Sequence, residues 1–274
     1  MNLHDWLGRT EQRTDVITPA PVAAFAATLD RDDQSTLPGA ELPPLWHWLY
    51  FLQNTRAGDI GPDGHARRGG FLPPVPLPRR MWAGGRFEFH APLRIGETVV
   101  RTSQIADISS KSGRSGELVF VRVRHEFASA QGVAFSEEHD IVYRGVAGRD
   151  REPPAAGTDE EFSREVRPDP VLLFRYSALT FNGHRIHYDH PYVTQVEGYP
   201  GLVVHGPLVA TLLLELLRQQ RPDSRVARYS FRAVSPLFDV APFTLCGRIA
   251  GEQATLWARS RNGALAIDAL ATLQ

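Results

Sequence analysis

The 274-residue sequence predicts an α+β chain with two antiparallel sheets, each wrapped around a buried central helix. Three observations predict it. Each half carries one helix-length run that is apolar nearly all round. Each run is followed by stretches that alternate between polar and apolar residues. The two series repeat at a near-constant offset. A helix apolar on every side must be buried, and strict alternation marks half-buried antiparallel strands. A sheet curled around each helix satisfies both demands.

In the first half the predicted helix is Leu45-Trp46-His47-Trp48-Leu49-Tyr50-Phe51-Leu52. The segment Phe87-Glu88-Phe89 follows, and then alternating strands over Thr98–Ile105 and Leu118–Phe127. A Gln131-Gly132 turn precedes the last strand, Val133–Tyr143. In the second half the predicted helix is Pro207–Leu217, with Leu208, Thr211, Leu212 and Glu215 at helical spacing. Pro207 suits the first helical turn, where its missing N–H would be unpaired anyway. Tyr229-Ser230-Phe231 follows, then strands over Phe243–Ile249 and Ala254–Arg259. An Asn262-Gly263 turn leads to the strand Ala264–Thr272. Phe89 to Phe231 is an offset of 142 and Pro92 to Pro236 one of 144. Between the series, residues 145–170 (GVAGRDREPPAAGTDEEFSREVRPDP) carry almost no periodic apolar signal and read as an extended, solvated linker. The chain therefore divides into domains 1–150 and 151–274.

Composition removes several functions. Apolar residues make up 42%, enough for a core, which excludes wholesale disorder. The formal charge is -1, so no charge excess speaks for nucleic acid or an anionic membrane as partner. The 23 glycines and 21 prolines favour turns and short strands over long helices. The single cysteine, Cys246, allows no internal disulfide and reads as a small buried apolar residue. The longest apolar stretch, Leu202–Leu217, is broken by His205, Gly206, Pro207 and Glu215 and is too short to span a bilayer. Charges throughout Met1–Thr18 argue against a signal peptide, so a soluble cytoplasmic setting is expected. The sequence holds no phosphate-binding G-x-x-x-x-G-K-[ST], no dinucleotide fingerprint and no G-x-S-x-G, so no cofactor is expected.

Polar chemistry concentrates between Arg175 and Pro191. His184, His187 and His190 lie within seven residues, and His205 follows just before the predicted helix. The run Leu179–Pro191, with Val203-Val204-His205-Gly206, resembles the MaoC-like hydratase/dehydratase signature of hot-dog-fold enzymes. That signature has an aspartate, a histidine five residues later, another aspartate two residues after that, and a V-H-G turn opening the central helix. Here His187 falls on the histidine, Asp189 on the later aspartate and His205-Gly206 on the turn. Asn182 stands where the pattern has its catalytic aspartate. The stretch Asn182–Asp189 is similar to one branch in particular, that of the mesaconyl-C4-CoA and itaconyl-CoA hydratases and the type 2 hydroxyacyl-thioester dehydratases. The resemblance runs from about Pro19 to the end and is most specific over Arg175–Leu208.

The resemblance implies a double hot-dog fold. It implies a non-catalytic first half that supports an acyl-CoA pocket and a second half that carries the motif. It implies a hydro-lyase acting on an acyl-CoA thioester, with mesaconyl-C4-CoA or itaconyl-CoA as first choice and straight-chain 3-hydroxyacyl thioesters as alternative. Two such units in one chain imitate a dimer, so the chain acts alone or pairs again as a homodimer.

The residue types suit this chemistry. Histidine, with an ordinary pKa of about 6.5, can take the proton of the attacking water, so His187 is expected to be the base. Gly206, with His205 beside it, stands at a predicted helix start, where free N–H groups favour a developing oxyanion. Asn182 cannot act as a general acid, but its amide can hold a water. Either it positions that water while His187 shuttles the proton, or Asp189, His184 or Tyr188 supplies a second proton function, or the activity is lost. Arg175 and Arg185 are candidates to hold a substrate carboxylate or a CoA phosphate, or are exposed arginines. The loop Gly61–Pro78, with Arg67, Arg68, Arg79 and Arg80, borders a CoA channel or is a surface loop. A metal-dependent hydrolase is the competing enzyme class, through the H-x-D-H of His187, Asp189 and His190. The dipole of a helix starting after His205 would oppose a cation there, so no metal is expected. A non-catalytic acyl-thioester binder is the remaining alternative.

Overall fold

A computed structural model of the chain describes residues 2–113, 116–145 and 152–274. The first half contributes β1 (Thr10–Val16), α1 (Pro19–Thr28), β2 (Arg79–Phe89), β3 (Thr98–Gly113), β4 (Gly116–Ser129) and β5 (Gly132–Arg144). The second contributes β6 (Phe162–Val166), α2 (Pro170–Leu179), α3 (His190–Gln195) and α4 (Gly206–Gln220). It ends with β7 (Val226–Ala233), β8 (Phe243–Ala250), β9 (Gln253–Ser260) and β10 (Leu265–Leu273). All strands join one antiparallel sheet in the order β1-β3-β4-β5-β2-β7-β10-β9-β8-β6. Read outward from its centre, each half gives the same order, which is the predicted repeat in three dimensions.

The two expected sheets are thus one. The seam lies between β2 and β7, where Phe87 pairs with Tyr229 and Gly85 with Phe231. Unjoined, each of these strands would present a row of unpaired backbone groups. The approach is close: a β-carbon on Gly84 would lie 2.5 Å from the Phe231 carbonyl oxygen.

Two further expectations need correction. The apolar run at 45–52 is not a helix comparable to α4; it forms a single 3-10 turn, Trp46–Leu49. Leu45 (φ 69°) and Phe51 (φ 55°) adopt left-handed backbone on either side of the turn, which stops helical propagation. The turn is pinned by side chains. His47 lies 2.9 Å from Glu137, Trp48 Nε1 donates to the same carboxylate at 3.2 Å, and Trp46 is fully buried. The segment 145–170 is also not all linker. It holds β6, which pairs with β8, and Asp169 and Pro170 start α2. Its residues 146–151 lie outside the described residues.

The repeat is finer than the sequence suggested. Pro19 of α1 answers Pro170 of α2 at an offset of 151, and each helix is followed by a left-handed residue at that same offset: Asp30 (φ 52°) and Phe181 (φ 50°). Arg31 therefore occupies in the first half the position of Asn182 in the second.

The core centres on α4, whose residues Leu208–Leu217 are all buried. Each buried leucine contributes about 1.5–3 kcal/mol. One charged residue lies among them. Glu215 accepts from Trp46 Nε1 at 3.0 Å and Arg218 at 2.8 Å, and it pairs with Arg31. Cys246 is buried on β8, and burial pushes its thiol up to about 11. No helix among the described residues is long and apolar enough to cross a membrane.

Candidate active site

The site is built around the loop that leaves α2. Asp169 caps that helix, accepting from the Leu172 N–H at 2.7 Å, and Pro170 sits in its first turn. The helix turns Tyr176 and Ser177 inward and leaves Arg175 exposed to solvent. After the left-handed Phe181, Asn182 donates its N–H to the Ser177 carbonyl at 2.8 Å, and its side-chain oxygen accepts from the His184 N–H at 3.1 Å. This local turn hands the chain to a 3-10 turn, Arg185–His187.

His187 is 8% exposed. Its Nδ1 lies 2.7 Å from the Val203 carbonyl oxygen, so it carries the proton and donates. Nε2 is left as the free basic nitrogen. Val203 is held in turn: its N–H donates to Ile186, and the Val204 N–H donates to Leu237. These bonds set His187 beside the start of α4. Gly206 opens that helix, and a β-carbon there would meet nothing within 4 Å, so the helix start faces free space. His205, the residue just before the helix, stacks on the His187 ring at 3.7 Å, and its Nε2 lies 2.9 Å from the Ser177 hydroxyl. His205 is thus a fully buried backing plate for His187.

The row of imidazoles extends into the first half. His184 meets His187 edge-on at 5.5 Å, and His65 lies over His184 at 4.0 Å. His65 Nδ1 is 3.0 Å from Asp63. Backbone contacts bring these residues here. The Arg185 N–H donates to the Asp63 carbonyl at 2.9 Å, and its guanidinium donates to that of Pro62 at 3.0 Å. Gly64 presses on Gly183 so closely that a β-carbon on Gly64 would lie 1.8 Å from the Gly183 carbonyl oxygen.

Burial sets the electrostatics. Desolvation disfavours the charged imidazolium. It lowers His187 to about 4, opposed by the Val203 hydrogen bond, and lowers His184 to about 2, aided by the charges of His65 and His187. His65 and His205 are also held below the ordinary value, chiefly by burial. Burial alone would raise Asp63, but its hydrogen bond to His65 and the charge there hold it well down. His184 and His187 are therefore neutral imidazoles at physiological pH.

Other candidates have structural duties. Arg185 spends its fork on Asp189 at 2.8 Å and on Pro62, and lies 4.1 Å over the Tyr192 ring, so it clamps the loop instead of holding a substrate anion. Asp189 caps α3 through the Tyr192 N–H, and Tyr188 donates to the Gly183 carbonyl. Of the three residues that could supply a second proton function, only His184 faces His187. Among the described residues, two groups place metal-capable atoms within 4.8 Å of one another: Asp63 with His65 and His184, and His125 with Glu137 and His139. The H-x-D-H run does not form such a group, because Asp189 points to Arg185 and His190 is exposed.

A sequence model of the hydroxyacyl-thioester dehydratase type 2 family matches residues 45–239, most of the chain. The chain belongs to this family. The mesaconyl-C(4)-CoA hydratase of Chloroflexus aurantiacus is 49% identical to it over 277 residues, covering 98% of this chain and 96% of that one. Among solved structures, a MaoC-like dehydratase from Phytophthora capsici superposes with a TM-score of 0.73 at 17% identity, covering 100% of this chain and 98% of that one. A Mycobacterium tuberculosis protein described as a double hot-dog fold does so with a TM-score of 0.60 at 14% identity, covering 98% of this chain and 96% of that one. These neighbours carry the fold, and the predicted hot-dog architecture stands. In this type 2 dehydratase-family chain Asn182 bonds the Ser177 backbone, the Ser177 hydroxyl meets His205, and His205 stacks on His187 just ahead of Gly206. Sequence reasoning missed Asp63 and His65. The D-x-H spacing in the glycine-rich loop is the signal that could have found them.

Proposed function

We propose that the chain adds water to α,β-unsaturated acyl-CoA thioesters, and removes it in reverse, with mesaconyl-C4-CoA the preferred substrate. One observation carries the reading: a buried, neutral His187 whose Nδ1 is tied to Val203, so that its basic Nε2 is presented beside the open start of α4. The 49% identity to a mesaconyl-C(4)-CoA hydratase supports the choice of acyl group.

In hydration His187 Nε2 takes a proton from water as the oxygen bonds to the β-carbon. The displaced electron pair moves to the thioester oxygen, where the Gly206 N–H and the dipole of α4 stabilise it. Collapse of that oxyanion takes a proton at the α-carbon, returned by His187, so the sum is one water added across the double bond. Asn182 orients the water, and His205 keeps the imidazole in place. The first half, 1–150, is more than a support, since it supplies His65 and Asp63. A cleft of about 540 Å³, lined by Arg13, Asn54, Asp59 and Arg67 among others, starts at Ala66, the residue after His65, and Arg67 there suits the CoA pyrophosphate.

The test is incubation of purified protein with mesaconyl-C4-CoA, itaconyl-CoA and crotonyl-CoA, with products read by mass. Gain of one water is expected. A protein that hydrates none of them overturns the proposal. The acid limb gives a second check. Neutral imidazole is the working form, and it is lost as pH falls through about 4. Hence kcat/KM for hydration should stay level from neutrality to about pH 5 and fall with unit slope below about pH 4. A limb near the ordinary histidine value, about 6.5, would contradict the buried base. The loop contact gives a third. Gly64→Ala puts a β-carbon into the Gly183 carbonyl at a positive φ of 89°. The loop must lift, and kcat/KM should drop by about tenfold or more. A variant with parental kinetics would show that the His65 loop plays no part.

A further inference from the structure

The two groups of metal-capable side chains differ in how far their atoms are already engaged. Beside His187, His65 and Asp63 hydrogen-bond each other at 3.0 Å, and the His65 ring lies over His184 at 4.0 Å instead of converging with it on one point. The other group belongs to the first half. His125 of β4 pairs directly with Glu137 of β5. His139, two residues further along β5, projects from the same face of the strand as Glu137. Two neighbouring strands thus set three ligand types side by side on a rigid sheet.

Here the inner atoms are left over while the outer ones are held. Glu137 Oε1 and His139 Nε2 stand 3.0 Å apart, yet His139 Nε2 is buried with no hydrogen-bond partner among the described residues. Two polar atoms so close that do not bond each other can both be satisfied by a third atom between them. The other carboxylate oxygen of Glu137, Oε2, accepts from His47 Nε2 at 2.9 Å and from Trp48 Nε1 at 3.2 Å, which frees Oε1. His125 Nδ1 lies 2.7 Å from the fully buried Ser103 hydroxyl, which leaves Nε2 facing the group. Trp82 packs on the His139 ring at 4.1 Å. Outer partners that fix the far atom of an imidazole or a carboxylate are the usual second layer of a metal site.

We propose that His125 Nε2, His139 Nε2 and Glu137 Oε1 bind one divalent transition-metal ion of the zinc class, with water as fourth ligand. Two imidazoles and one carboxylate suit zinc, whereas calcium and magnesium take oxygen ligands throughout. Zinc bonds of about 2.0–2.2 Å put tetrahedral neighbours about 3.3 Å apart. The Glu137–His139 separation already fits, and ring rotation closes the remainder of a group that spans no more than 4.8 Å. Metal on His125 Nε2 makes Nδ1 the donor to Ser103. The ion joins β4 to β5 and, through Glu137, to the turn Trp46–Leu49, which stands where the first half has no central helix. The assignment does not depend on the hydratase reading, and His187 has no part in it.

The test loads chelator-treated, desalted protein with Zn²⁺, desalts it again and measures bound zinc by plasma mass spectrometry. The parent, Ser103→Ala, His139→Phe and His65→Gln are compared. The parent should keep one zinc per chain and melt at a higher temperature than its chelated form. His139→Phe preserves a ring against Trp82 but should keep no zinc. Ser103→Ala removes no ligand and should weaken zinc binding by about 10–100-fold. His65→Gln should bind as the parent does. Co²⁺ in place of Zn²⁺ should give the parent the strong visible bands of a four-coordinate ion. A parent that keeps no zinc overturns the site, and so does zinc retained by His139→Phe or lost from His65→Gln. Should His139→Phe fail to fold, parental affinity in Ser103→Ala would overturn it as well.

Discussion

Replacing His187 with alanine should lower hydration turnover by about 10²–10⁴ while acyl-CoA binding persists. His187 and His205 both stand beside the start of α4, but His187 has its Nδ1 tied to Val203, which leaves Nε2 basic, whereas the one unshared nitrogen of His205, Nδ1, is fully buried. His184 meets His187 only edge-on, at 5.5 Å, and is held at about 2, which makes it a far weaker base. His205 is engaged with Ser177. Alanine also opens a gap against the stacked His205 ring, so His187→Gln is the sharper variant. Glutamine can still donate to the Val203 carbonyl, yet it cannot take up a proton at neutral pH. Single-turnover kinetics and calorimetric binding of a CoA ester would separate chemistry from binding. A glutamine variant within tenfold of the parent would remove His187 as the base.

The second large effect is on stability. Glu215→Ala should cost about 3–5 kcal/mol, because it leaves the buried Trp46 indole without an acceptor and Arg31 with only the exposed Asp33 as partner. Against a typical total of about 5–15 kcal/mol, that approaches loss of the fold. Arg31 follows α1, Trp46 lies in the 3-10 turn and Glu215 on α4, so this carboxylate ties the first half to the central helix of the second. Urea denaturation of the parent, Glu215→Ala and the double variant Arg31→Met/Glu215→Leu would test it. The double variant should recover part of the loss, since it removes the Arg31 and Glu215 charges together, while Arg218 and the Trp46 indole still lose their acceptor. A single-variant loss under about 1 kcal/mol, within the range of exposed ion pairs, would show that the cluster contributes no more than a surface contact.

The sequence carried the strands well because alternation is itself the physical record of a half-buried sheet. Thr98–Ile105 is the start of β3 and Ala264–Thr272 nearly coincides with β10. It carried α4 because a greasy run after Gly-Pro has few other places to go. It misled at Leu45–Leu52, where apolarity says what is buried but not which φ each residue adopts. It misled again at Phe162–Val166, an edge strand whose Ser163, Arg164 and Glu165 look like linker residues. Asn182 and His187 were legible as one loop because short spacing keeps them together, whereas Gly206 reaches His187 through the bonds of Val203 to Ile186 and His187. Asp63 and His65 were not, since they arrive through backbone bonds to Arg185 that impose no side-chain pattern.

The matched left-handed residues Asp30 and Phe181 have one more consequence. A symmetric pair of such units would own two equivalent reaction centres, one at each Asn182 position. In this chain the twin of Asn182 is Arg31, and its side chain closes on Glu215 inside the core. The duplicated unit has exchanged a second centre for a rivet. The chain thereby gains an inequality that identical subunits cannot have: on the proposed function one copy carries Asn182 and His187, while the other is free to shape what they meet.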